Sequence, residues 1–192
     1  MSLCAACISG VRYEGTPTGE IIDINGVKVY RALPEKDYDK TKAVLFLTDV
    51  FGLSLENNRL LADDFARNGY QTYAPDYLNG DDVPPDALDP GSDFDLAAWL
   101  AKHGKEQTEP PLLAAIDGLK KQGITAFGAT GYCFGGRYVF NLAYYGTTKV
   151  SVASHPSLLT EDDVTEYAKT TIPLLINSCE FDDQWLLLRS RL

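Results

Sequence analysis

The residues best suited to chemistry are Gly131-Tyr132-Cys133-Phe134-Gly135-Gly136, which set a thiol between glycines two positions before and two positions after it. A strand-like run precedes them at 124–130 and a helix-like run, residues 137–145, follows. A nucleophile is therefore expected at the apex of a strand, a sharp turn and a helix, in the Gly-x-nucleophile-x-Gly pattern with Cys where Ser is more usual. Such a turn strains the nucleophile's backbone and leaves no room for side chains beside it, hence the glycines. A thiol at a helix N-terminus also sits where the dipole favours thiolate.

The elements that must position this thiol follow an alternating pattern. Two short alternating stretches flank Asn25-Gly26, a two-residue hairpin signal. The apolar run 43–48 predicts a strand covered on both faces. A helical stripe over 57–68 ends at Gly69, and a strand returns over 70–75. Helices are expected over 94–102, 111–122 and 161–169, and strands over 149–154 and 172–178. This order implies an α/β fold, a mostly parallel sheet with helices on both faces. Pockets in such sheets open beyond the carboxyl ends of the strands.

Those ends gather a consistent set: Asp49, Asp76, Cys133, His155, and Cys179-Glu180-Phe181-Asp182. Acyl transfer needs a nucleophile, a base, an acid that orients the base, and backbone amides for the oxyanion. The chain order expected in this arrangement is nucleophile, acid, histidine. Asp182 follows Cys133 and sits directly after a strand, which favours it over Asp183, Asp49 and Asp76. Of the two histidines, His155 lies on the rim, and His103 reads as a surface residue. The polar stretch 76–93 reads as the rim or lid of a pocket, or as a solvated acidic connection.

Composition narrows the partners. The 192 residues fit a single domain, with 1–18 as an N-terminal tail. Seventeen Lys and Arg against 27 Asp and Glu give a net charge of −10, which argues against nucleic acid or an anionic membrane as partner. Four scattered cysteines and no signal-peptide pattern point to a reducing, cytoplasmic setting. The pair Cys4 and Cys7 lacks a second ligand pair, so no metal is expected. No Gly-x-Gly-x-x-Gly or phosphate-loop pattern follows a strand, which disfavours a nucleotide- or flavin-binding domain, and no cofactor is expected.

The elbow motif, with Thr48-Asp49-Val50-Phe51-Gly52-Leu53 and the Cys179-Glu180-Phe181-Asp182 segment, resembles the dienelactone hydrolase family, fungal type. The resemblance runs from about Glu14 to Asp182. It implies a three-layer α/β-hydrolase fold and a Cys-His-Asp hydrolase of small lactones or esters, working without metal or cofactor. It implies further that Cys133 is the nucleophile and Asp182 the triad acid, that the Val50 and Phe134 amides form the oxyanion hole, and that Asp49 stands where the family often has Glu. His155 takes a pocket-lining position, with service as a substitute base as the alternative. The family histidine follows a further strand beyond the acid, so this form is expected to be truncated at its C-terminal end. Impaired catalysis is expected, with a ligand-binding, non-catalytic member as the alternative. An uncovered edge beside the apolar residues Trp185 to Leu188 would favour a homodimer, a domain-exchanged assembly or marginal stability.

Overall fold

The computed structural model describes residues 14–87, 89–179 and 188. Cys4, Cys7 and residues 185–187 of the apolar tail lie outside them, whereas Leu188 is buried in the main core. Strand β1 (Glu20–Ile24) turns into β2 (Val27–Ala32) through Asn25 and Gly26, both left-handed with φ of 56° and 81°. That is the geometry a two-residue hairpin loop needs to match the strands' twist. Then come β3 (Lys42–Leu47), α1 (Glu56–Arg67) and β4 (Thr72–Pro75). Next in the chain are α2 (Leu96–Lys102), α3 (Lys105–Lys121), β5 (Ala126–Tyr132) and α4 (Phe134–Tyr144). The described elements end with β6 (Thr148–Ser154), α5 (Glu161–Ala168) and β7 (Leu174–Asn177).

The seven strands among the described residues form one sheet in the order β1-β2-β4-β3-β5-β6-β7. Strand β2 runs antiparallel to β1 and β4, and the remaining pairs are parallel. The alternation of side chains along β3 explains its apolar run. Leu45 and Leu47 enter the large core beneath α3 and α4, and Phe46 enters a smaller one beneath α1 with Tyr30, Ala62 and Ala66. Helices thus cover both faces, and the carboxyl ends of β3, β5 and β6 meet at one edge.

Helix α3 begins at Lys105, ahead of both prolines, rather than at Pro111. Its Gly104 carbonyl accepts from Gln107 and Thr108 N–H, which starts the helix early. Proline removes the donor that would serve the carbonyl four residues back. For Pro111 that carbonyl is on Gln107, and Asn79 Nδ2 supplies the missing hydrogen bond at 3.4 Å. The stretch 76–93 is not simply solvated: Tyr77, Leu78, Val83 and Ala87 are buried in the main core.

Candidate active site

Cys133 closes β5 and caps α4 with φ 48° and ψ −110°, a conformation costing about 1–3 kcal/mol that persists only where its surroundings enforce it. Here they do. Its N–H donates to the Ser154 carbonyl at 3.0 Å, and its own carbonyl accepts from the Gly136 and Ser157 N–H groups, each at 3.0 Å. A Cβ on Gly135 would stand 2.2 Å from the Leu47 carbonyl oxygen and 2.6 Å from that of Thr48, and one on Gly131 would stand 2.5 Å from the Gly135 carbonyl oxygen. The first turn of α4 therefore lies against the end of β3 without space for side chains.

That contact brings the loop after β3 beside the thiol. Phe134, the first residue of α4, has an N–H with no intrahelical acceptor. Val50 is buried, and its carbonyl accepts from Val83 N–H at 2.9 Å, which fixes the peptide. Among the described residues neither the Val50 nor the Phe134 N–H has an acceptor. The Asp49 carboxylate accepts from Phe51 N–H at 3.0 Å and from Asn58 Nδ2 at 2.9 Å, and Asn58 also donates to the Gly52 carbonyl. Burial raises the Asp49 pKa, although the Asn58 and Phe51 donors offset part of the shift. Asp49 thus holds its own loop in shape.

Beside the thiol stands Tyr77. Its ring stacks on Phe134 at 6.2 Å, and its hydroxyl donates to the Thr48 carbonyl at 2.5 Å. Burial pushes its pKa well above the ordinary value. Asp76, also raised by burial, accepts from Gly80 N–H at 3.1 Å.

Cys133 is 8% exposed, and its sulfur lies 3.6 Å from Ser157 Oγ. His155 is half-buried at the end of β6 with φ 38°, its N–H donating to the Asn177 carbonyl at 2.7 Å. It shares a loop with Ser157 on the rim of the elbow. His103 is not a surface residue: it is buried, stacked on Trp99 at 3.8 Å, with Nδ1 2.8 Å from the Trp99 carbonyl and Nε2 3.4 Å from Asp81. The sequence disguised this because His103 caps the C-terminus of α2, where the ring folds back onto the helix's last turn. Together with Leu100, Phe134, Arg137, Tyr138 and Leu158 it lines a cavity of about 390 Å³ behind the elbow. Asp182 lies outside the described residues.

The structure therefore brings together Cys133, Phe134, Val50, Asp49 and His155. Sequence reasoning missed Tyr77 and Ser157. Ser157 could have been found from its place in His155-Pro156-Ser157, directly beyond a strand end.

The model of the dienelactone hydrolase family matches residues 27–185 of this chain. The chain belongs to the dienelactone hydrolase family. Among curated members it is 36% identical over 159 residues to Hydrolase pyvD of Aspergillus violaceofuscus, covering 82% of this chain and 63% of that one. It is 37% identical over 165 residues to Dienlactone hydrolase 1 of Gibberella moniliformis, covering 82% and 62%. The chain thus spans less than two thirds of the length of these dienelactone hydrolase relatives. A solved structure of a dienelactone hydrolase-type protein from Klebsiella pneumoniae superposes with a TM-score of 0.62 at 20% identity, over 86% of this chain and 75% of that one, which establishes the fold. Among the described residues no helix is long and apolar enough to cross a membrane.

Proposed function

We propose that this chain hydrolyses small lactones or esters with Cys133 as nucleophile, through a thioester. The observation that carries the reading is the strained Cys133 backbone at the head of α4, with the Phe134 amide and the Val50 loop beside it. The Cys133 thiolate attacks the acyl carbon, and the carbonyl electron pair moves onto oxygen between the Val50 and Phe134 N–H groups. Collapse breaks the acyl C–O bond, and the leaving alkoxide takes a proton from water. Water then attacks the thioester, giving its proton to a base, and the thiolate departs with the carbon–sulfur electron pair.

Asp182 is assigned as the triad acid, and His155 to the pocket rim. The named relatives, a hydrolase and a dienlactone hydrolase, support the reaction class. The proposal extends to a small-molecule substrate with no nucleic-acid or membrane partner, no cofactor, a cytoplasmic setting and a homodimer.

A chromogenic ester with a phenolic leaving group tests it. Steady turnover lost in Cys133→Ser establishes a complete site. A single slow equivalent of acylation at Cys133 means that deacylation is impaired, since removing a triad member costs about 10³-fold or more in rate. No acylation at all would turn the reading to a ligand-binding member.

A further inference from the structure

Among the described residues, five non-glycine positions have positive φ, and three of them, Cys133 (48°), His155 (38°) and Leu158 (61°), lie in the elbow and the loop that faces it. Strain of this kind persists where the surroundings over-determine the backbone, and it concentrates at functional sites. His155 also precedes a proline, a position that normally holds extended backbone. The chain between the two strained loop positions is His155-Pro156-Ser157-Leu158, so the strain aims Ser157.

Backbone hydrogen bonds fix that aim. The Ser154 carbonyl takes the Cys133 N–H, and Ser157 N–H donates to the Cys133 carbonyl, both at 3.0 Å. Pro156 lies so close to Gly136 that a Cβ there would stand 2.7 Å from the Pro156 Cα, and the loop can dock only on a glycine. Held by both its neighbour and its own amide, Ser157 presents its hydroxyl 3.6 Å from the Cys133 sulfur.

We infer that Ser157 is a further residue of the reaction, whose hydroxyl stabilises the Cys133 sulfur as thiolate and again as it leaves the thioester. The inference rests on the reading of Cys133 as nucleophile. While the sulfur is a thiol either group can donate, but toward a thiolate only the hydroxyl can. A hydrogen bond made to the charged form favours that form. The neighbouring hydroxyl does not serve, because Tyr77 donates to the Thr48 carbonyl. In acylation the sulfur lone pair forms the S–C bond and Ser157 loses a charged acceptor. In deacylation the water oxygen bonds to the acyl carbon, the base takes the water proton, and the C–S pair returns to sulfur, where the Ser157 O–H meets it. Among the described residues, the titratable groups around the elbow include Tyr77 and Asp76 after β4, Asp49 after β3, and His155 on the Ser157 loop itself.

The test is the pH profile of iodoacetamide alkylation, followed on the Cys133 peptide by mass spectrometry so that the other cysteines do not contribute. Ser157→Ala should raise the apparent thiol pKa by about one unit, cutting alkylation near neutral pH roughly tenfold. Ser157→Thr should keep the wild-type profile, and Ser157→Val, of the same shape without the hydroxyl, should shift as Ala does. Superimposed Ala and wild-type profiles overturn the inference, as does a Thr profile displaced as far as Val. Should the variants fail to fold, the wild-type enzyme decides: a Cys133 titrating at or above the ordinary thiol value of about 8.5 overturns it. Ester hydrolysis that survives in Cys133→Ala overturns the underlying reading instead, whatever the alkylation profiles show.

Discussion

At the scale of single residues, the site is set by what is left out as much as by what is present. Gly135 lets α4 touch the carbonyls that end β3, and those carbonyls belong to backbone that cannot turn aside. Gly135→Ala should therefore destabilise the fold by about 1–3 kcal/mol and lower the rate of Cys133 acylation, measured by urea unfolding and by ester burst. Asp49 makes a second prediction. Its carboxyl is raised above the ordinary value, chiefly by burial, so the folded state holds the proton more tightly than the unfolded chain does. The stability it contributes is full below the ordinary carboxylate value of about 3.9 and is lost as pH rises through the raised one. Unfolding of wild type and Asp49→Asn from pH 4 to 8 should show the wild type's relative stability falling with pH; parallel curves would contradict this.

At the scale of elements, α4 and α5 are tied by one buried carboxylate. Asp163 accepts from Thr160 N–H and Oγ, closing a capping box, and from Asn141 Nδ2 at 2.8 Å, with Arg137 Nε 3.4 Å away. Burial would raise its pKa, but the Thr160 hydrogen bonds, Arg137 and Asn141 outweigh that and hold it below the ordinary value. Its contribution to stability is thus present above the unfolded carboxylate value and lost as pH falls through the lowered one. Asp163→Asn should cost about 1.5–3 kcal/mol at pH 7 and progressively less toward acid, read from thermal melts over pH. Thr160→Ala should cost about 1 kcal/mol through the lost cap alone.

At the scale of the whole molecule, β7 is an outer strand of the sheet among the described residues, with Leu175 57% exposed on it and Val150 46% exposed on neighbouring β6. Exposed apolar side chains on an outer strand favour association with another chain. Sedimentation should detect a concentration-dependent dimer that Leu175→Lys weakens, and a wild-type monomer at every concentration would count against the proposed assembly.

Residue types and spacing were enough to determine the α/β alternation, the hairpin at Asn25-Gly26, and the thiol at a strand-to-helix turn, because these are local: periodicity, turn chemistry and glycine placement act over a few neighbours. The family followed from the same motifs. Tertiary structure alone decided the burial of His103, since a ring at a helix end can face water or fold onto Trp99, and only packing chooses. It likewise decided the start of α3 ahead of its prolines, through an Asn79 donor from a distant loop, and the meeting of Ser157 with Cys133 across 24 residues. Such pairings arise where parallel strands bring their ends to one edge, and no short stretch of chain carries the information for that.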